Sequence, residues 1–302
     1  MQLKFHTLDV FTSRRFGGNP LGVVLGADAL TTAEMQAIAR EFNLAETIFV
    51  SAPKDPRNTA SVRIFFPTAE IPFAGHPTVG CAILLAETVN GIGRAFETEV
   101  LLEEVAGLVP VTVRNTEGAT WAQFTAPVVP QPVSATLPSI EAVASALQLE
   151  ASDICYPGQD LGLHEGGPRF FYVPIASRDA LSRAQAREPE WSEILNRLGT
   201  VGGYLYAKGG DDPATAYRTR MFNPAGEGAE DPATGSAAAL FASQLHQTVS
   251  LADGTHAFRL EQGYEMGRPS DLDMEAEVIS GKLVAVRVAG RAVRVMEGYM
   301  SI

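Results

Sequence analysis

Residues 220–240 read RMFNPAGEGAEDPATGSAAAL, and residues 63–80 read RIFFPTAEIPFAGHPTVG. Aligned, they share Arg63 with Arg220, Phe65 with Phe222, Pro67 with Pro224, Glu70 with Glu230, Pro72 with Pro232 and Gly75 with Gly235, the second copy carrying three extra loop residues. Each copy reads as a strand, a polar loop, a glycine and then an apolar helix. Ordered matches in one structural context make internal duplication a better reading than chance.

Working outward, the flanking sequence reads as two α+β halves. In the first, LKFHTLDVF, NPLGVVLG, ETIFVSA and VRIFFP are strand-like, rich in β-branched and aromatic residues and bounded by Gly, Pro or Asn. Thr31 followed by Glu34 is a capping-box pattern, and predicts a helix ending near Phe42. A central apolar helix runs from Pro77 to about Val89, stopped at Asn90-Gly91. Strands follow at 94–101, 108–114 and 119–125, and prolines at 127, 130, 132 and 138 mark a linker. This divides the chain into an N-terminal half, 1–126 with the last strand 287–302 as a possible addition, and a C-terminal half, 127–286. The second half offers strands RFFYVPI, GGYLYAK and YRTRMF, a helix near 190–198 and a central helix near 236–247. Its end reads as β-hairpins, with tight turns expected at Gly281-Lys282 and Gly290-Arg291. Both central helices are apolar almost all round, so each should be wrapped by its own sheet.

Composition narrows the function. The chain has 302 residues, 46% hydrophobic and 19% charged, as expected of a globular protein with a sizeable core. A net charge of −12 argues against nucleic acid or an anionic membrane as partner. Cys81 and Cys155 form no metal-binding or redox spacing, which suits buried thiols in a cytoplasmic protein, and the expectation is no metal. The start MQLKFHTLDVF has no signal-peptide pattern, and no apolar run reaches membrane-spanning length.

A helix start exposes unpaired N–H groups and the positive end of its dipole, where a carboxylate sits well. His76 reads as an N-cap with Pro77 at the first helical position, and Gly235-Ser236 takes the matching place in the second copy. Each end alone reads equally well as a capped terminus. Duplication would bring both to a cleft at the junction of the halves, holding one small acid. For proton transfer the candidates are Glu46, His76 and Asp231. Glu46, in NLAETIFV, precedes an apolar run that would raise a carboxyl pKa; the alternative is a strand-edge glutamate in solvent. Asp231 also fits a cap or turn, and His76 a hydrogen-bonded cap. Glu70 and Glu230 are expected to hydrogen-bond backbone N–H groups across the junction.

Four blocks, DVFTSRRFGGNPLGVVL, NLAETIFV, PFAGHPTVGCA and EDPATGSAAAL, together resemble the PhzF-like family of phenazine-biosynthesis isomerases and their relatives. The resemblance implies a diaminopimelate-epimerase-like α+β fold: two pseudo-symmetric halves, each a curved, mostly antiparallel sheet around a central helix, with the active site between them. It implies a homodimer that uses no cofactor and acts on a small anionic carboxylic acid, as in the isomerisation of trans-2,3-dihydro-3-hydroxyanthranilate. The family's proton-transferring glutamate falls on Glu46, its pocket histidine and aspartate on His76 and Asp231, and its carboxylate-binding backbone on Gly75, Gly235 and Ser236. The resemblance also implies that Asn19, in GGNP, lines the same pocket. Related racemases and epimerases use a cysteine at each helix start; here those positions carry Ala74, His76, Pro232 and Ser236. A non-catalytic metabolite binder of the same fold is a further alternative. A serine hydrolase built on Ser236 would need glycine where Thr234 and Ala238 stand. The stretch 150–168 reads as a loop, and His6, His164, His246 and His256 have no assigned chemistry.

Overall fold

The computed structural model describes residues 1–116, 118–225 and 230–302, so the insertion expected in the second repeat's loop lies outside the described residues. The chain divides into two compact units, Met1–Pro127 with Ala289–Ile302, and Val128–Val288. Among the described residues no helix is long and apolar enough to cross a membrane.

In the first unit, β1 (Gln2–Val10) pairs antiparallel with β2 (Asn19–Leu25), which runs parallel to β3 (Glu46–Ser51). β3 is antiparallel to β4 (Ala60–Phe65), and β4 to the short β5 (Glu70–Ile71). β4 also meets β6 (Phe96–Glu104) in parallel, and β6, β7 (Gly107–Thr116) and β8 (Ala119–Thr125) form an antiparallel meander. The sheet is therefore mixed. Helix α1 (Thr32–Phe42) starts at the expected capping box, with Thr31 and Glu34 bonding reciprocally, and ends at Asn43 in the left-handed region. Its Met35 and Ala39 join Leu3, Val24, Phe49 and Phe65 in a core on one face of the sheet.

Helix α2 (Gly75–Asn90) meets β1, β2, β3, β6, β7 and β8. All residues from Gly75 to Leu84 are buried, as an apolar helix without a polar face requires. Gly80, poor in a helix on propensity alone, is explained by that fit. A Cβ there would lie 2.6 Å from Leu21 Cδ2 and 2.7 Å from Val10 Cγ2, so any side chain would push α2 off β1 and β2.

The second unit opens with β9 (Gln131–Pro132) and α3 (Ile140–Leu147). The stretch expected to be a loop over 150–168 contains a strand, β10 (Gly162–Glu165), whose pairing with β9 and with β11 (Arg169–Pro174) holds it extended. Helices α4 (Arg178–Arg183) and α5 (Glu190–Leu198) lead into β12 (Gly202–Lys208). β12 is parallel to β11 and antiparallel to β13 (Thr215–Phe222), which in turn pairs with β14 (Glu230–Asp231). Helix α6 (Gly235–Val249) packs on β9, β10, β11 and β16 (Ser270–Ile279). β15 (Gly254–Gln262) is parallel to β13 and antiparallel to β16. A turn falls at Ser280-Gly281, one residue before the expected Gly281-Lys282, whereas the one expected at Gly290-Arg291 is not present. Instead β17 (Lys282–Ser301) is one strand, held extended where Phe11 N donates to Arg291 O and Ala292 pairs with Val10.

Both units use the same internal ties. Arg63 Nε and Nη2 donate to the two Glu70 carboxylate oxygens at 2.7 and 2.6 Å, and Arg220 makes the same fork with Glu230 at 2.8 and 2.8 Å. These glutamates thus pair with arginines rather than with the backbone amides expected, because each β4–β5 or β13–β14 turn brings the carboxylate back beside its own strand's arginine. The carboxylate of Glu103 accepts from Lys54 N and Asp55 N, both at 2.8 Å, and that of Glu261 accepts from Asp211 N at 2.8 Å and Asp212 N at 2.9 Å.

The two arginines differ in burial, with side chains 32% and 9% exposed at Arg63 and Arg220. Arg220 Nη1 also donates to Leu181 O at 2.9 Å and Ala184 O at 2.8 Å, tying down the end of α4. R220A should therefore cost about 3–5 kcal/mol in urea unfolding, since it leaves Glu230, its side chain only 12% exposed, without its counter-charge. R63A should cost about 1 kcal/mol or less, because water screens the pair. Equal losses would contradict this reading.

Candidate active site

Glu46 is the first residue of β3, opposite Leu21 of the parallel strand β2. Asn19 begins β2 two residues earlier and is fully buried. Alternation along β2 puts Asn19 and Leu21 on one sheet face, and the register puts Glu46 on that face too. Gly18, in the left-handed region at φ +62°, turns the chain into β2, where a Cβ would meet Val10 O at 2.3 Å.

α2 begins at Gly75 with Ala74 as N-cap, so His76 is its second residue rather than the expected cap. No cap side chain is involved; Ala74 O accepts from Thr78 Oγ1 at 2.7 Å and so sets the first turn. Being inside the helix, His76 points into the unit. Its Nε2 lies 3.2 Å from Glu46 Oε2, with His76 3% exposed and Glu46 7% exposed. Glu46 is thus not in solvent. Burial pushes His76 down from 6.5 to about 3, which leaves the imidazole neutral at physiological pH. The 3.2 Å contact is not aligned as a hydrogen bond, and the neutral ring places no second charge beside the carboxyl group.

In the second unit, α6 likewise begins one residue before the expected Ser236 cap. Gly235 is the first helical residue, Thr234 the N-cap, and Ser236 occupies the place His76 has in α2. Asp231 ends β14, and its carboxylate accepts from the Thr234 hydroxyl. Gln262 Nε2 donates to Asp231 O at 2.8 Å and to Thr234 Oγ1 at 3.0 Å, while its Oε1 accepts from Thr234 N at 3.2 Å. The loop ahead of α6 is fixed by a side chain at the end of β15. Sequence reading missed Thr234, Gln262 and Thr78. The signal available was a further repeat, Leu102-Glu103-Glu104 against Leu260-Glu261-Gln262.

The structure therefore brings Glu46 to His76, with Gly75 next to the latter and Asn19 on the strand beside the former. It brings Asp231 to the start of α6 through Thr234. His164 acquires a context as well: its ring nitrogens lie 2.9 Å from Ser243 Oγ and 2.7 Å from Gln244 Oε1, fully buried. Burial lowers it to about 4. Among the described residues no three His, Cys, Asp or Glu side chains are grouped so as to hold a metal ion.

A histidine whose folded pKa is depressed takes up its proton only on unfolding, so it favours the folded state at high pH and loses that contribution as pH falls. For His76 the window runs from 6.5 down to about 3. The stability difference between the parent and H76Q should thus be flat above pH 6.5 and move against the parent below it, by up to about 1.4 kcal/mol per pH unit. Urea midpoints measured from pH 3.5 to 8 check this; a pH-independent difference would contradict it.

The phenazine biosynthesis-like protein family matches residues 8–298. The chain is 39% identical over 306 residues to an uncharacterized isomerase of Mesorhizobium japonicum, covering all of both chains. It is 34% identical over 287 residues to the trans-2,3-dihydro-3-hydroxyanthranilate isomerase of Pseudomonas fluorescens, covering 95% of each. A crystal structure of a Bacillus anthracis phenazine biosynthesis protein of the PhzF family superposes with a TM-score of 0.89 at 27% identity, covering all of both chains. The α+β fold with its mixed sheet, and the resemblance carried by four sequence blocks, are thereby borne out: the chain belongs to the phenazine biosynthesis-like protein family.

Proposed function

We propose that this protein is a cofactor-independent isomerase that moves a proton on a small, unsaturated or cyclic carboxylic acid, with Glu46 as the group that carries it. The observation behind this is the buried contact of Glu46 with a neutral His76 at the start of α2. Glu46, as carboxylate, takes a proton from one carbon and as acid returns it to another on the same face. His76 orients that carboxylate and steadies charge that builds on the substrate. Gly75 offers its backbone N–H at a helix start to the substrate's carboxylate, and Asn19 a neutral amide. The repeated construction gives Gly235, Ser236 and Asp231 the same kind of role: N–H groups for an anion, a hydroxyl, and an acceptor for an amine or hydroxyl.

Similarity to trans-2,3-dihydro-3-hydroxyanthranilate isomerases supplies the first compound to try. The matched strand order, arginine–glutamate forks and helix starts support two pseudo-symmetric halves as part of this reading, and the family resemblance supports a homodimer. A two-thiol racemase is disfavoured. No cysteine stands at Ala74–His76 or Thr234–Ser236, and Cys81 is fully buried with its thiol pushed far up, mainly by burial.

Incubation with trans-2,3-dihydro-3-hydroxyanthranilate, followed by NMR, tests the reading. E46Q should lower turnover by about 10²–10⁴-fold, the range for losing a general acid–base group. D231A should weaken kcat/KM for the same compound. Full turnover by E46Q would overturn the assignment.

A further inference from the structure

Glu104, the last residue of β6, has no place in the reaction just described, yet it is only 8% exposed and reaches the first turn of α2. Its Oε1 lies 2.7 Å from Thr78 Oγ1, and the same hydroxyl lies 2.7 Å from Ala74 O. A hydroxyl has one proton. If Thr78 gives it to the carbonyl, which can only accept, the second short contact is a hydrogen bond only when the Glu104 carboxyl group donates. Its other oxygen, Oε2, is buried without a hydrogen-bond partner among the described residues, a poor setting for a carboxylate.

The second unit offers an internal control. Gln262 stands at the end of β15 as Glu104 stands at the end of β6, each following a glutamate that binds two loop amides. Gln262 donates to the N-cap residue of α6 and accepts from it. A glutamine does both in any protonation state, whereas a glutamate can do so only as the neutral acid.

We propose that Glu104 is a positioning residue, a carboxylic acid kept neutral at neutral pH that takes the part of Gln262 and sets the first turn of α2, and with it His76, through Thr78. Burial supports this, holding its carboxyl group up at about 8. The titratable group facing it is Cys81 of α2, whose thiol is raised by burial and by Glu104 itself and stays neutral. Ionisation of Glu104 would put a buried negative charge one turn from the helix start proposed to receive the substrate's carboxylate, and would weaken binding of that anion.

This inference rests on the proposed isomerase for its kinetic consequence but not for its protonation state, and the tests separate the two. Because the folded pKa is raised from 4.5 to about 8, Glu104 stabilises the fold most at low pH and loses that contribution as pH rises through this range. In thermal melts E104Q should gain on the parent as pH rises from 5 to 9. A difference independent of pH would overturn the proposal. In a ¹³C NMR titration of the parent, the Glu104 carboxyl should titrate in one step near pH 8, and a signal already ionised at pH 6 would overturn it even if E104Q does not fold. With trans-2,3-dihydro-3-hydroxyanthranilate, kcat/KM of the parent should fall by about tenfold per pH unit above that step, mainly through KM. E104Q should keep the neutral-pH value and lose this fall, while E104L, which can neither donate nor accept, should be slower throughout. An unchanged alkaline fall in E104Q would remove the positioning role. Absence of turnover by the parent would sink the isomerase reading and leave the melts and titration to decide on Glu104.

Discussion

Two ionisable side chains, Glu46 and His76, meet at 3.2 Å with almost no exposure to water. In such surroundings a charge without compensation is costly, so the pair settles with a neutral imidazole beside the carboxyl group. The rest of the first unit serves that contact. His76 reaches Glu46 because α2 lies close against β1 and β2, and it lies close because Gly80 presents no side chain to Leu21 and Val10. Helix α2 is apolar from end to end apart from groups with partners such as Thr78, which lets it be buried so deeply. A helix with an ordinary polar face would have stayed at the surface and left His76 in water.

Comparing the two units separates scaffold from chemistry. The arginine–glutamate forks at Arg63–Glu70 and Arg220–Glu230, and the loop-binding Glu103 and Glu261, are alike because both units must close the same turn and tie the same kind of loop. The units diverge inside the first helical turn and just behind it. His76 corresponds to Ser236, Thr78 to Ala238, and Glu104 to Gln262. At these positions the unit that holds Glu46 carries His76 and Glu104, while the second unit has its acidic group at Asp231 instead.

The same logic explains why polar groups survive in the second core. His164, Ser243, Gln244, Tyr206 and Gln159 form a connected set of hydrogen bonds between α6 and its sheet, with Gln244 Nε2 2.9 Å from the Tyr206 hydroxyl, that hydroxyl 2.7 Å from Gln159 Oε1, and Gln159 reaching on to Thr248. Each member satisfies its neighbour, so burial costs little. Such a network specifies how α6 seats on β10 and β12 and needs no reactive role for His164.

What the sequence determined by itself was whatever a few neighbouring residues can encode. Thr31 and Glu34 cap α1 because donor and acceptor lie three residues apart, and the repeated strand–loop–glycine–helix pattern marked α2 and α6 before any coordinates. The alternation and apolar runs identified most strands, and the residues around Glu46 and His76 marked a family and a chemistry. Tertiary structure alone decided the rest. Ala74 and Thr234 proved to be the caps, because the first turns are held by Thr78 and Gln262 rather than by the residues with the best capping propensity. Gly290 and Arg291 stayed in a strand because Phe11 and Val10, some 280 residues away, hold them there. Glu70 and Glu230 met arginines, and Glu104 was carried into an apolar interior. Burial and protonation state depend on which distant side chains arrive alongside, and that information resides in the packing of the chain rather than in any short stretch of it.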